Sequence, residues 1–185
     1  MRRVNVIGTS GTGKSTFGAA LAKHLDVPYV EIDALNWGPN WQMAAVPELR
    51  ERVGAAAAGD AWVIDGNYSA SRDLVWARAD TVIWLDLPLA VVMWQVVTRT
   101  IRRIARREQL WNGNRESLRT ALGRDSIILW AATTYGRRRH DYPTMLAERP
   151  PRVTAIRLRS NRAKRRFLEA IPPPRPEPTP EASSR

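Results

Sequence analysis

The sequence predicts an α/β fold in which helices cover both faces of a five-stranded parallel sheet. Short runs of apolar and β-branched residues alternate along the chain with longer stretches whose apolar residues recur at helical spacing. Each short run is almost continuously apolar, which is typical of a parallel strand that is buried on both faces. A glycine-rich turn joins the first run to the first helical stretch. The predicted strands cover residues 3–7, 27–33, 61–65, 81–86 and 153–158.

The predicted helices begin and end at residues that are common at helix termini. Phe17, Leu21 and Leu25 share one face of the first helix, directly after the glycine-rich turn. Pro47 opens the second helix and Gly59 closes it. The predicted helices cover residues 17–25, 48–58, 71–78, 89–108, 115–122, 126–135 and 160–171.

We expect one domain over residues 1–171, because a chain of 185 residues suffices for a single sizeable core. Residues 172–185 are polar and proline-rich and show no periodicity, which predicts a disordered tail.

Composition excludes several classes of protein. The chain has no cysteine, so disulfides and thiolate metal sites are excluded, and its two separated histidines do not favour a zinc site. The longest apolar run, residues 87–97, is too short to span a bilayer. No signal peptide precedes the first strand, so we expect a soluble, cytoplasmic protein.

The glycine-rich turn matches the phosphate-binding loop pattern G-x-x-x-x-G-K-[ST] without a substitution. Its glycines permit a tight turn that directs successive N–H groups at one anion, at the positive end of the following helix. Lys14 can reach the outer phosphates of a nucleotide, and the Ser15 hydroxyl can bind the accompanying Mg²⁺. We therefore expect ATP and Mg²⁺ as ligands. The loop residues are Gly8, Thr9, Ser10, Gly11, Thr12, Gly13, Lys14, Ser15 and Thr16.

Polar residues follow the strands at the sheet edge where such folds bind ligands. Asp33 ends the second strand and could orient or deprotonate an acceptor hydroxyl, or hold a metal-bound water; the alternative is a capping role. Asp86 is followed closely by a proline and is expected only to cap a turn. Asn161 lies in the turn after the last strand, at the same edge. Trp37, in the polar loop beyond Asp33, could stack on an acceptor ring, as could Trp41.

Positive charge is concentrated in one part of the chain. Residues 99–166 contain 19 Arg or Lys and 5 Asp or Glu, whereas the formal charge of the whole chain is +11. Nearly all of this charge is arginine, which favours bidentate phosphate contacts. Nucleic acid, clustered nucleotide phosphates in a cleft and the arginine bias of a GC-rich genome remain alternative explanations.

Four arginines of the long helix lie on one face at three- and four-residue spacing, and like charges this close repel one another. We expect at least one of them to bind phosphate, although a solvated helix face is the alternative. For the basic run at residues 137–139, a solvated helix end is the preferred interpretation. The four arginines are Arg99, Arg103, Arg106 and Arg107.

These motifs together resemble the nucleoside-monophosphate-kinase and shikimate-kinase group of P-loop proteins. Residues 63–68, VIDGNY, resemble the third strand and Asp-Gly turn of adenylate kinases, and residues 83–88, IWLDLP, are similar to their next strand. The arginine-rich helix resembles the entrance to their lid. More narrowly, residues 108–116, EQLWNGNRE, and 124–130, RDSIILW, resemble bacterial adenylate-kinase-like proteins often labelled DNA topology modulation proteins.

The resemblance also shows departures. The Phe-Pro-Arg that follows Asp-Gly in adenylate kinases is replaced by residues 67–69, Asn-Tyr-Ser, and the nearest arginine is Arg72. The Asp-x-Asp of shikimate kinases appears as residues 31–33, Glu-Ile-Asp, and their triple-glycine turn is absent.

The resemblance implies the strand order 2-3-1-4-5, an arginine-rich lid over residues 99–139 and phosphoryl transfer from ATP-Mg²⁺ to a small acceptor, with a nucleotide favoured. It also implies that Asp65 holds Mg²⁺ through water. A nucleic-acid-associated P-loop NTPase is the alternative function. The expected site residues are Lys14, Asp33 and Arg103 for catalysis; the loop, Arg99 and Asn161 for ATP; Asp33, Trp37, Gly66, Asn67 and Arg72 for the acceptor; and Ser15 and Asp65 for the metal.

Overall fold

A computed structural model of the chain describes residues 1–117, 121, 123 and 126–172. In that part of the chain there are five strands and seven helices, and helical segments separate the strands as the sequence predicts. One helix, over residues 32–36, was not predicted. The strands are β1 Arg3–Gly8, β2 Tyr29–Glu31, β3 Trp62–Asp65, β4 Thr81–Leu85 and β5 Thr154–Leu158. The helices are α1 Lys14–Leu25, α2 Ile32–Asn36, α3 Val46–Ala57, α4 Arg72–Arg78, α5 Leu89–Ala105, α6 Ile127–Ala147 and α7 Asn161–Glu169. Short 3₁₀ turns cover Pro39–Trp41 and Trp111–Gly113.

The strands form one parallel sheet in the order β2-β3-β1-β4-β5. The predicted fold class and strand order are therefore confirmed. β1 lies at the centre, and its register pairs Val6 with Asp65 on one side and with Ile83 on the other. This register brings the loop after β1 next to the carboxyl ends of β3 and β4.

Two apolar layers cover the sheet because side chains along each strand alternate between its faces. Val4 and Val6 point into one layer, where they pack with Leu21 of α1 and with α7. Ile7 points into the other layer, which contains Val53 of α3 and residues of α4 and α6. Burying each such side chain contributes roughly 1.5–3 kcal/mol to folding. A sheet covered on both faces leaves its edges and strand ends as the sites open to ligands.

A buried asparagine fixes the central strands at the end where the candidate site lies. The Asn5 side-chain amide donates to the carbonyls of Ile64 at 3.0 Å and Gly66 at 3.1 Å. Its oxygen accepts a hydrogen bond from the indole N–H of Trp76 at 2.9 Å. The Gly66 N–H in turn donates to the Val6 carbonyl at 3.0 Å. These contacts hold the end of β3 against β1.

The second strand is shorter than predicted. It ends at Glu31, and Ile32 turns into the core and begins α2, so that Asp33 lies in the first turn of a helix. The Ile32 side chain is only 2 % exposed. Burying it stabilises the fold more than extending β2 would, because β2 is an edge strand that pairs only with β3. The long helix also ends earlier than predicted, at Ala105, because Arg107 adopts a left-handed conformation.

The predicted helix over residues 126–135 continues to Ala147. Its second half is polar in sequence, yet Tyr142 and Leu146 are buried, and the Tyr142 ring packs edge-on against Trp84 at 5.5 Å. The basic run at residues 137–139 therefore lies within α6 and not at a helix end, although Arg137 and Arg139 are exposed to solvent as predicted. The predicted helix over residues 115–122 falls largely outside the described residues, as does the predicted tail.

Within the described ranges, no helix combines the length and apolar character that crossing a membrane requires.

Candidate active site

The glycine-rich turn wraps around the start of α1. Gly13 occupies the N-cap position with φ 79°, and the Phe17 N–H donates to its carbonyl at 3.0 Å. Thr12 is buried, and its N–H and hydroxyl both donate to the Thr9 carbonyl, at 3.1 and 2.9 Å. α1 begins at Lys14, so its positive end lies at this loop. The local geometry is that of an anion-binding loop.

Gly11 is required by packing as well as by loop conformation. Its φ is 88°, and an added Cβ would lie 2.2 Å from a methyl of Val96 and 2.9 Å from the Val92 carbonyl. Only glycine lets α5 approach the loop this closely. The long helix is therefore positioned directly against the candidate phosphate site.

Two carboxylates at the ends of β2 and β3 share one tyrosine hydroxyl. The Tyr29 hydroxyl lies 2.6 Å from Asp65 Oδ2 and 2.9 Å from Glu31 Oε1. Ser15 lies close enough to interact with the same hydroxyl, and Lys14 interacts electrostatically with Asp65. Burial, followed by the nearby carboxylates, raises the pKa of Tyr29, so the hydroxyl stays protonated and acts as a donor.

Asp33 lies near this cluster, in the first turn of α2. The Tyr68 hydroxyl donates to Asp33 Oδ1 at 2.5 Å. Burial and the charge of Asp33 raise the pKa of Tyr68, so this hydroxyl is also a donor. Asp33 is near enough to Asp65 and to Arg99 to influence the pKa of each. The structure therefore brings Lys14, Ser15, Asp33 and Asp65 into one site, as predicted from their positions.

The two predicted functional arginines of α5 differ in their partners. Arg103 donates to Glu116 at 2.8 Å, and its Nε lies 3.9 Å from Glu108. Arg99 has a buried Nε with no hydrogen-bond partner among the described residues. Burial, and then the neighbouring charge of Arg103, lowers the pKa of Arg99, although its guanidinium remains charged. The Arg103 Nε is likewise buried without a hydrogen-bond partner, so within the described part of the chain the two arginines differ in that Arg103 forms ion pairs and Arg99 does not.

Over the residues that the structure describes, the contacts of the predicted acceptor residues join some of them in pairs and do not connect them all. Arg72 donates from Nε to Asn67 Oδ1 at 2.9 Å and lies over the Trp76 ring at 5.9 Å. The rings of Trp37 and Trp41 pack edge-on at 5.7 Å, so these residues contact each other in the loop after α2. Gly66 is buried at the end of β3.

From α7, the side chain that reaches the loop is Lys164, which the sequence analysis missed. Its Nζ donates to the Thr12 carbonyl at 2.9 Å, whereas Asn161, the predicted ATP residue, is the first residue of α7. Burial lowers the pKa of Lys164. The only signal in the sequence was one lysine among the arginines of the last helix.

The role of Asp86 was also missed. The sequence indicated only a turn cap at this position, and that expectation is wrong. Its side chain is only 3 % exposed, accepts a hydrogen bond from Arg157 Nε at 2.9 Å and lies 3.5 Å from Arg139 Nε. Arg139 comes from α6, so this carboxylate ties the end of β4 to that helix. Asp86 and Arg139 also line a small cavity that reaches Thr9 and Thr12 of the loop.

Comparison with known proteins agrees with this architecture. Residues 4–86, less than half of the chain, match the family described as "ATPase family associated with various cellular activities (AAA)". The shikimate kinase from Bacteroides thetaiotaomicron superposes with a TM-score of 0.58 at 13% identity, covering 91% of this chain and 94% of that chain. The shikimate kinase from Acinetobacter baumannii, solved in complex with shikimate, gives a TM-score of 0.57 at 14% identity, covering 91% and 89%. The chain has the P-loop kinase fold.

Two further matches add to this comparison. A sugar kinase from Janibacter sp. HTCC2649 superposes with a TM-score of 0.50 at 17% identity, covering 91% of each chain. By sequence, the uncharacterized protein YqaC of Bacillus subtilis (strain 168) is 25% identical over 104 residues. That match spans 55% of this chain and 58% of YqaC. The resemblance to small-molecule P-loop kinases is thus confirmed at the level of the fold.

The residues beside the loop fit a Mg²⁺ ion that arrives with a nucleotide. The exposed Ser15 hydroxyl and the buried Asp65 carboxylate both interact with Tyr29, so they lie on the same side of the loop. Among the described residues, no group of three or more acidic, histidine or cysteine side chains could hold a metal by itself. Phosphate oxygens and water would therefore complete the coordination sphere.

Asp65 gives a testable link between the site and stability. Burial raises the pKa of Asp65 from 3.8 to about 6, with Lys14 and the Tyr29 hydrogen bond opposing the shift. A raised carboxyl pKa means that folding is favoured while the group is protonated, and this contribution is lost as the pH rises through about 6. At pH 8 the buried charge therefore lowers the free energy of unfolding by about 2–3 kcal/mol.

We predict that Asp65→Asn is more stable than the wild type by about 2–3 kcal/mol at pH 8 and equally stable at pH 4, because asparagine carries no charge but still accepts from Tyr29. Urea unfolding at the two pH values measures this. Asp73→Asn is the control, since hydrogen bonds from Arg50 lower the pKa of Asp73, and it should gain no stability. An equal gain from Asp65→Asn at both pH values would contradict the prediction.

Proposed function

We propose that this protein transfers the γ-phosphoryl group of ATP to a hydroxyl group of a small polar acceptor. One observation carries the proposal, namely that Asp33 lies beside the loop cluster with its Oδ1 held by Tyr68 at 2.5 Å. This contact leaves Oδ2 of Asp33 to accept a hydrogen bond from an acceptor hydroxyl. A fixed carboxylate in this position can orient the hydroxyl and take its proton as the phosphorus–oxygen bond forms.

The remaining residues of the site would bind ATP, Mg²⁺ and the acceptor. The loop N–H groups and Lys14 would bind the phosphates of ATP, and Arg99 would stabilise the charge that moves during transfer. Ser15 would bind Mg²⁺ directly and Asp65 through water, and the ion would neutralise charge on the outer phosphates. Trp37, Gly66, Asn67 and Arg72 would line the acceptor site.

The acceptor chemistry follows from the charges near Asp33. The phosphate of a nucleoside monophosphate is already ionised and needs no base, and Glu31, Asp33 and Asp65 would repel it. An uncharged hydroxyl meets no such repulsion, which favours a hydroxyl acceptor over the nucleotide expected from the sequence. A carboxylate elsewhere on the acceptor, away from these three residues, could pair with Arg72.

The test is a screen of ADP formation. Polyols, sugars, hydroxy acids, nucleosides, nucleoside monophosphates and nucleic acid would each be supplied with ATP and Mg²⁺. We expect a hydroxyl-bearing small molecule to raise ADP formation above background. Stimulation confined to nucleoside monophosphates would restore the nucleotide acceptor. Stimulation confined to nucleic acid, weakening steeply with salt, would support the nucleic-acid-associated NTPase instead.

With that acceptor, Asp33→Asn should lower kcat by about 10²–10⁴-fold, the usual loss of a general base, because the amide cannot take the proton. The dissociation constant for ATP should change little, since Asp33 faces the acceptor. Asp60→Asn is the matched control, because Asp60 is exposed before β3, at the opposite end of the sheet. Wild-type kcat in a folded Asp33→Asn protein would refute the base assignment.

A further inference from the structure

A turn in the predicted lid is hydrogen-bonded to the loop after α2. The asparagine turn, residues 109–115, contains Asn114, whose side chain accepts from the Trp41 N–H at 2.9 Å and donates to the Gly38 carbonyl at 2.8 Å. Asn112 donates to the Trp37 carbonyl. The turn is thus docked through polar contacts on the loop that borders the proposed acceptor site.

One contact of the asparagine turn reaches the carboxylate cluster itself. The Trp111 indole N–H donates to Glu31 Oε2 at 2.6 Å. The other oxygen of Glu31 lies 2.9 Å from the Tyr29 hydroxyl, which lies 2.6 Å from Asp65 Oδ2. A continuous chain of hydrogen-bonding groups therefore runs from the turn to the carboxylate next to the P-loop.

The number of protons available in this series of hydrogen bonds decides which carboxylate the Tyr29 hydroxyl donates to. The Tyr29 hydroxyl has one proton and two carboxylate neighbours, so it can donate fully to only one of them. When Trp111 donates to Glu31, that carboxylate has another donor and depends less on Tyr29. The Tyr29 proton is then available to Asp65, at the shorter of its two contacts.

We propose that Trp111 and Tyr29 are positioning residues that couple docking of the asparagine turn to the orientation of Asp65. With the turn docked, Tyr29 holds Asp65 in place beside Ser15 for the binding of Mg²⁺ with ATP. With the turn released, Glu31 competes for the Tyr29 hydroxyl and Asp65 loses its fixed donor. The inference rests on the proposed function, because it assigns these hydrogen-bonded residues a role in binding Mg²⁺-ATP.

A double-mutant cycle tests this coupling. Trp111→Phe removes the indole N–H and keeps a ring, and Tyr29→Phe removes the hydroxyl. Binding of a non-hydrolysable ATP analogue would be measured by calorimetry with and without Mg²⁺. We expect each single variant to weaken Mg²⁺-dependent binding about tenfold, the usual scale for residues that orient a ligand. The double variant should also lose only about tenfold in affinity, because both substitutions interrupt the same interaction. Binding without Mg²⁺ should be unchanged.

The matched control is Trp94→Phe. It makes the same substitution at an exposed tryptophan of α5, which lies outside the asparagine turn and its docking contacts. This variant should keep wild-type affinity for the Mg²⁺-bound analogue. If Trp111→Phe does not fold, Glu31→Gln tests the same competition, because it weakens the acceptor that competes with Asp65 for the Tyr29 proton. Mg²⁺-dependent affinity should then not fall, and a tenfold loss would overturn the proposal.

The outcomes separate this inference from the proposed function. Losses that multiply to about a hundredfold in the double variant would mean that the two residues act independently, which overturns the coupling. Unchanged Mg²⁺-dependent binding in the single variants, or an equal loss in Trp94→Phe, would also overturn it and leave the proposed function standing. A wild-type protein that does not bind the Mg²⁺-bound analogue would overturn both.

Discussion

Replacing Lys14 with alanine is expected to abolish detectable ATP turnover while the protein remains folded. Lys14 is the first residue of α1, and in the proposed function its ammonium would act as a point charge for the outer phosphates. Removing one preorganised donor of this kind typically costs about 10²–10³-fold in kcat. Alanine is a strong helix former, so α1 should persist. ADP release and thermal unfolding followed by circular dichroism measure the two parts of the prediction.

Lys23→Ala provides the matched control for Lys14→Ala. Lys23 is an exposed lysine in the last turn of the same helix, far along α1 from the loop. Its loss should leave turnover unchanged. Continued turnover in a folded Lys14→Ala protein would refute the assignment of the loop as the nucleotide site.

The parts of the fold that could be predicted are those that local sequence patterns determine. Apolar runs identify the strands because a strand that is buried on both faces needs apolar side chains along its whole length. The loop motif identifies the strand before it and the helix after it. Asp65 could be placed by its position at the end of such a run. The full length of α6 could not, because Tyr142 and Leu146 are buried against strands far away in sequence.

The parts of the site that sequence analysis missed depend on pairs of residues distant in the chain. Lys164 meets the Thr12 carbonyl, and Asp86 meets Arg157, only because the sheet order brings the ends of β1, β4 and β5 together. No spacing rule connects such partners. Tyr29 presents a different difficulty, since an aromatic residue in a strand is ordinarily explained by packing, and its hydroxyl matters only once two carboxylates lie next to it.

The arginines of α5 can be ranked by their partners in a way that the sequence did not allow. Arg103 already has the carboxylates of Glu116 and Glu108 as neighbours, which partly neutralise it. Arg99 forms no ion pair with the described residues and has the like charge of Arg103 next to it, although both arginines have a buried Nε without a hydrogen-bond partner. A buried charge in this condition is costly unless a ligand supplies the missing anion. The γ-phosphoryl group of ATP would be such an anion.

We therefore predict that Arg99→Ala lowers kcat by about 10³-fold, the scale of a missing transition-state arginine, and raises the KM for ATP much less. Arg103→Ala should lower kcat by a smaller factor, because its role includes holding Glu116. Arg99→Lys should rescue poorly, since it keeps the charge and loses the planar fork. Steady-state kinetics with the acceptor found in the screen would measure each value.

The control for Arg99→Ala is Arg102→Ala, an exposed arginine of the same helix that should change little. Arg138 is unsuitable as a control, because it stacks on Trp130 at 5.7 Å and lines the cavity next to the P-loop. If Arg99→Ala and Arg102→Ala behave alike, Arg99 does not meet the transferred phosphoryl group. If Arg99→Ala instead weakens only the binding of nucleic acid, the arginines of α5 belong to the alternative function, and the loop alone would support phosphoryl transfer.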